Sequence, residues 1–242
     1  MAHAEIVGNK IVLTVAVKKI EKDTKKELED EYNNYPIVVN PKRCISLDQM
    51  RLIHLLLKQY GNELGYTLDE MKLVLKDEFS LLREIESFSL SEIDQELATE
   101  FIQFIIEHAI KNDVNLYIKD KGSKVKHIRN IVPDIERYVI SCLKARRCAI
   151  CGRVHDPDNN KIVELDHFDN VSEIGGYEFD DGLQTRFIPL CVEHHRIKHN
   201  LGRGDFERRY HIAGIYLNEN LVRELKKIYT NHFKAFKEKI NE

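Results

Sequence analysis

Two short knuckles bracket the stretch best equipped for chemistry. The first is CAIC, with Cys148 and Cys151 at C-x2-C spacing, and the second is CVEH, with Cys191 and His194. Thirty-nine residues, 152 to 190, separate them. Each knuckle puts two soft donors on one tight turn, and a pair of such knuckles makes a closed Cys3His tetrahedron, the coordination of structural zinc. Ligand binding would then order the intervening loop, because metal-binding energy becomes folding energy. His195 is adjacent to His194 and could take the fourth position instead.

Inside this frame lies VELDHFD, with Asp166 and His167 adjacent. Val163 to Leu165 read as a strand leading into the pair. His195 and His199 are four apart, so on a helix they share a face. Asp166 with His195 or His199 could hold a divalent cation against a phosphate. His167 could deprotonate water, since an imidazole titrates close to working pH. The cation would stabilise the charge that builds on the phosphate and on the leaving oxygen. The set suits hydrolysis of a phosphodiester. A zinc peptidase would need HExxH, and here Glu193 precedes His194, the wrong order. A thioredoxin-like role for CAIC explains the cysteines less well than a second knuckle does.

The elements that must position this stretch are mostly helical. Residues 5–18 look like strands around a Gly8–Asn9 turn. A charged run, EKDTKKELEDEY, follows, and Ile37 to Val39 form a short β-type run halted by Pro41. Ser46 with Gln49 predicts a capping box. The helix behind it carries Ile53, Leu56, Leu57 and Tyr60 and should stop at Gly61. Thr67 caps the next, and Ser91 a third that runs through Phe101 to Ala109. Pro133 can open another. Leu221, Leu225, Ile228, Tyr229, Phe233 and Phe236 recur near helical spacing and predict an amphipathic closing helix. Cys44 and Cys142 have no partner spacing and read as buried small hydrophobes.

With 242 residues and 43% hydrophobic content, the chain can bury a sizeable core. Net charge is only −3, so an argument for nucleic acid must rest on local clustering. Such a cluster exists. From Lys119 to Arg153 there are ten basic residues against three acidic ones, a local excess of seven. Lys124, Lys126, Arg129, Lys144, Arg146 and Arg147 are the candidate phosphate contacts, because neutralising phosphates dominates nucleic-acid affinity. No apolar run approaches the ~20 residues of a membrane span. The first residues lack the layout of a signal peptide. A cytoplasmic protein with reduced thiols is expected, in which CxxC binds metal rather than forming a disulfide.

The series CAIC, ELDHFD and PLCVEHHRIKH resembles the HNH nuclease motif in its zinc-ribbon form, a ββα-metal fold, over roughly residues 148–200. The resemblance implies a structural Zn2+ on Cys148, Cys151, Cys191 and His194. It implies a catalytic Mg2+ or Mn2+ on Asp166 and His195, with His167 as general base and His199 as a further ligand or phosphate contact. Many members carry Asn a few residues before the second-knuckle cysteine. This chain has Gln184, Thr185 and Arg186 there, with Asp169 and Asp181 as nearby candidates for support.

Residues 46–109 resemble the phage Orf/NinB recombination mediators. That resemblance implies single-stranded-DNA binding, homodimers, and single-strand-binding protein or recombinase as partners. The expected architecture is therefore α+β. Residues 1–117 would form a mostly helical DNA-binding and assembly domain with short strands, 118–147 a basic linker and helix, and 148–242 the nuclease module with closing helices. A boundary is expected within 118–131. The expected activity is a metal-dependent DNA endonuclease in phage-type recombination or DNA processing. The alternative is a non-catalytic DNA-binding mediator whose zinc module is only a scaffold.

Overall fold

The computed structural model describes residues 2–7, 10–15, 44–119 and 125–237. The chain divides into two units, Met1–Lys42 and Arg43–Glu242. Of the first, an antiparallel hairpin is described, β1 (Ala2–Val7) and β2 (Lys10–Val15), registered from Ala2 opposite Val15 to Val7 opposite Lys10. The hairpin agrees with the strand pattern in the sequence. The charged run and the Ile37–Val39 run lie outside the described residues.

The second unit mixes helices with two-stranded sheets, an α+β arrangement. Helix α1 (Leu47–Leu64) starts at Ser46, whose hydroxyl accepts from Gln49 N while the Gln49 side chain accepts from Ser46 N. Ile53, Leu56, Leu57 and Tyr60 form its buried stripe. Gly61 does not end it. The helix continues to Leu64, and Gly65, at φ 81, supplies the left-handed cap. Gly61 is needed for close approach instead: a Cβ there would sit 2.9 Å from the Tyr66 carbonyl.

Helix α2 (Leu68–Arg83) begins at the Thr67–Glu70 capping box. Helix α3 (Gln95–Lys111) is capped by Asp94 rather than Ser91, because the Asp94 carboxylate reaches Leu97 N at 2.8 Å. Helix α4 (Ile135–Lys144) is likewise opened by Asp134, not by Pro133. Between α3 and α4 lies a short hairpin, β3 (Tyr117–Lys119) with β4 (Val125–His127). Cys142 is buried, as expected, but Cys44 is exposed.

The boundary expected within 118–131 falls inside this second unit. The segments on either side are tied together by polar bonds, from half-buried to fully buried. Gln103 of α3 accepts from Asp134 N, and Arg137 of α4 pairs with Glu100 and Glu107 of α3. Arg147, 1% exposed, is the tightest tie. Its five N–H groups reach the carbonyls of Ile110, Val114 and Gly152, the last twice, and Asn115 Oδ1. A buried guanidinium is tolerable when every donor is met.

Past the first knuckle, β5 (Val163–His167) pairs antiparallel with β6 (Phe187–Cys191), Asp166 opposite Ile188 and His167 opposite Phe187. Helix α5 (Val192–Leu201) follows β6 without a loop, then α6 (Arg203–Tyr210) and α7 (Glu219–Ile228). The closing helix is shorter than its apolar spacing suggests. It ends at Ile228, and Phe233 and Phe236 are buried from turns instead. Among the described residues no helix is long and apolar enough to cross a membrane.

Arg147→Met keeps apolar volume but strands four acceptors. It should lower unfolding free energy by on the order of 3 kcal/mol. The check is the urea midpoint, with the slope of the transition unchanged.

Candidate active site

Four soft donors converge first. Cys151 and Cys191 have sulfurs 3.9 Å apart, and His194 Nδ1 lies 3.6 Å from Cys148 Sγ and 3.2 Å from Cys191 Sγ. A tetrahedral zinc with Zn–S of about 2.3 Å and Zn–N of about 2.0 Å would space its ligands at roughly 3.8 Å and 3.5 Å. The set therefore fits zinc. The knuckles are brought together by β6 itself, because Ala149 N donates to the Pro189 carbonyl at 2.9 Å. The crowded sulfurs cannot all ionise alike: hydrogen bonds from its neighbours hold Cys191 well below the usual thiol range and leave Cys148 above it. The choice between the two adjacent histidines goes to His194. His195 points elsewhere.

On the other side of α5, His195 Nε2 lies 2.9 Å from Asp166 Oδ1 and 2.9 Å from His199 Nε2. Cis ligands around an octahedral ion with bonds of about 2.1 Å stand roughly 3.0 Å apart. Asp166, His195 and His199 thus offer three donors at a spacing that suits one divalent ion. The hydrogen bond to Asp166, aided by the charges of Asp166 and Glu164, raises the His195 pKa above the ordinary histidine value despite burial. Glu164 accepts from His195 Nδ1 at 2.7 Å. A carboxylate on the far nitrogen fixes ring orientation and leaves Nε2 to face the ion.

Lys198 is the second tie. Its buried ammonium donates to Asp166 Oδ2 and to the His167 carbonyl, and sits 5.4 Å from the Phe168 ring centre. One cation thereby joins the acid and the strand end that carries His167. His167 is 8% exposed, and its Nε2–H donates to Asp180 Oδ2 at 3.0 Å. Burial alone would raise Asp180, but the bond and charge of His167 bring it below the usual carboxylate range. His232 stands nearby, with donor atoms of His167, Asp180 and His232 all within 4.8 Å of one another. It is delivered by the turn after α7, which is clamped by Ala235 N to the Asp180 carbonyl and by Phe233 against Gly182.

Asp166, His167, His195, His199, Lys198 and His232 line one open cavity of about 620 Å³. Arg203 lines it too, and pairs with Asp169 at 2.8 Å. Asp169 also takes a forked pair from Arg186, at 3.0 and 2.6 Å.

The family described as "Putative HNHc nuclease" matches residues 17–228. The chain belongs to the HNHc nuclease family. No curated protein and no solved structure matches it. One family spans both halves of the nuclease, and nothing in the comparisons supports the Orf/NinB likeness of residues 46–109. His232 lies beyond the matched stretch.

Not every expected residue sits where the motif suggested. Gln184 bonds the Asp181 carboxylate from an exposed turn and does not approach His167. Asp181 caps that turn through Leu183 N, and Asp169 serves the arginines. Asp180 is the partner of His167. Of the basic strip, Arg147 is a buried tie with no donor left for a phosphate. Arg129 donates to the Ile150 carbonyl, Arg146 lies over the Tyr229 ring at 5.3 Å, and Lys144 pairs with Glu224 at 2.6 Å. Lys126 is exposed, and Lys124 lies outside the described residues. Two overlooked residues had a signal. Glu164 is two before Asp166, on the same strand face, and Lys198 is three after His195, on the same helix face. Asp180 and His232 had none.

The arginines bring Asp169 from 3.8 down to about 2 against the opposing effect of burial. Its folded pKa is below the unfolded one, so ionised Asp169 favours the fold above about pH 4, and that contribution is lost as pH falls towards 2. Asp169→Asn should be less stable at neutral pH and lose less on acidification. Melting curves across that window measure the difference.

Proposed function

We propose that this nuclease is a metal-dependent endonuclease hydrolysing phosphodiester bonds in DNA. A single observation carries the reading: the Asp166–His195–His199 donor set and His167, held from behind by Asp180, line one cavity with Arg203. In this reading β5, β6 and α5 are the ββα-metal module.

Asp166 and His195, with His199, would hold a divalent ion, Mg2+ or Mn2+ given oxygen and imidazole donors. When bound, that ion would supply charge stabilisation at the phosphate and the leaving oxygen. The rest of the work belongs to the chain. Asp180 holds the His167 ring in one orientation, and His167 would take a proton from the attacking water. Lys198 ties Asp166 to the main chain of His167, since the Asp166 carboxylate and the His167 carbonyl share one ammonium. Arg203 adds positive charge at the mouth of the cavity. Cys148, Cys151, Cys191 and His194 would hold a structural Zn2+ that sets the start of α5.

DNA would be gripped by the exposed basic residues of the strip, Lys126 and Lys144 among them, with Arg129 and Arg146 at its edge. A place in phage-type recombination, a homodimer, and a single-strand-binding protein or recombinase as partner rest on the sequence resemblances alone, and a cytoplasmic setting is an expectation from the sequence. The rival is a non-catalytic DNA-binding protein. One observation favours it: both Asp166 oxygens are already engaged, by Lys198 and His195.

Purified protein with Mg2+ or Mn2+ should cut supercoiled or single-stranded DNA. His167→Ala should lose cleavage by on the order of a hundred-fold or more while still binding DNA. Cutting undiminished in His167→Ala would defeat the assignment. Cys151→Ser should lose about one equivalent of zinc by elemental analysis and, with it, cooperative unfolding.

A further inference from the structure

The segment between β5 and β6 brings an aromatic ring to the cavity. Tyr177 opens a single 3-10 turn, Tyr177–Phe179, immediately after Gly175 and Gly176 at φ 90 and 129. Two successive residues in that region are compatible with glycine and strain anything else. Tyr177 lines the cavity, yet it is 66% exposed. Its ring meets His167 edge-on, with centres 5.4 Å apart and planes at 80°. Its hydroxyl has no hydrogen-bond partner among the described residues. His232, also on the cavity wall, has its ring centre 5.9 Å from His167. A large ring left in water beside the proposed general base, with most of its surface uncovered, is suited to an occupant that is flat and apolar on its faces.

We propose that Tyr177 is a stacking platform for an unpaired nucleobase next to the scissile phosphate, so that single-stranded or locally unpaired DNA is the preferred substrate. The proposal rests on the nuclease reading above. A base in a duplex has both faces covered by its neighbours and must be extruded before it can stack on a side chain, whereas a single strand offers its faces freely. The ring touches His167, so a base stacked on it places its own phosphate beside the group that activates water. Stacking on an aromatic side chain also tolerates any base, which fits a cavity whose polar groups are directed at phosphate and metal rather than at base edges.

The test uses the full zinc-loaded chain without added divalent ion, so that binding is read apart from cutting. The probes are a short oligothymidylate with one 2-aminopurine and the same strand annealed to its complement. Wild-type protein should bind the single strand more tightly and quench its fluorescence. Tyr177→Ala should weaken single-strand binding roughly five- to a hundred-fold and abolish the quench. Tyr177→Phe should retain both. Tyr177→Leu separates stacking from mere cover over His167: it should behave like the alanine variant. Single-strand binding and quench unaffected in Tyr177→Ala, or fully kept in Tyr177→Leu, would overturn the platform alone. Wild-type protein that binds neither probe would overturn the nuclease reading and the platform with it.

Discussion

The site depends on where α5 begins. Cys191 is at once the last residue of β6, the residue before α5 and a member of the Cys3His set. An α-helix advances about 100° per residue. A slip of one residue at Cys191 would therefore swing His195, Lys198 and His199 off the face they share. A metal on the four soft donors would prevent that slip by fixing both Cys191 and His194 against the first knuckle. Thirty-nine residues of intervening chain are then constrained at both ends. A clasp on one side of the helix would thus set the aim of the three side chains on the other.

Charge balance decides what the cavity can hold. Asp166 is buried, and a buried carboxylate needs partners. It has two, Lys198 and His195, on different oxygens. Lys198 also holds the His167 carbonyl, so its ammonium cannot leave Asp166 without releasing the strand end. Only the oxygen towards His195 faces the remaining donors, which limits Asp166 to one oxygen for an ion shared with His195 and His199. The second carboxylate pair, Asp180 with His167, is separate from the first. Two acids with two different imidazoles are linked through one lysine, and in the proposed reading they would divide the tasks of holding an ion and orienting a base.

Much of this was legible in the sequence, for local reasons. The capping box at Ser46 and the cap at Thr67 act within four residues, and so did the strand into Asp166 and the shared face of His195 and His199. What failed was either a contest between near neighbours or a dependence on distant chain. Gly61 looked like a stop because glycine usually is one, but the Tyr66 carbonyl packs where its side chain would be. Ser91 lost the cap to Asp94, three residues on, whose carboxylate is the stronger acceptor. Phe233 and Phe236 kept helical spacing while lying in turns, because burial, for Phe233 against Phe187 and Gly182, rewards the side chain whatever the backbone does. Arg147 read as one more charge in a basic strip. Its five bonds run to residues as far away as Ile110, and no local pattern reports them.

The same long-range ties explain why the helical half and the chemical half are parts of one unit. Arg147 immediately precedes Cys148, and it holds the end of α3 and the carbonyl of Gly152 in the first knuckle. Gly152 has no room for a side chain, since a Cβ there would sit 2.0 Å from Asn115 Oδ1. At the other end, the Tyr229 hydroxyl donates to the Leu143 carbonyl at the end of α4. The turn that follows delivers His232 and clamps the Asp180 loop. The first knuckle therefore leans on α3, and the wall of the cavity leans on α4. A fragment cut between the helices and Cys148 would keep every residue of the motif but lose the supports that aim them. That dependence is a physical reason for one family pattern to run through both halves rather than stop at the motif.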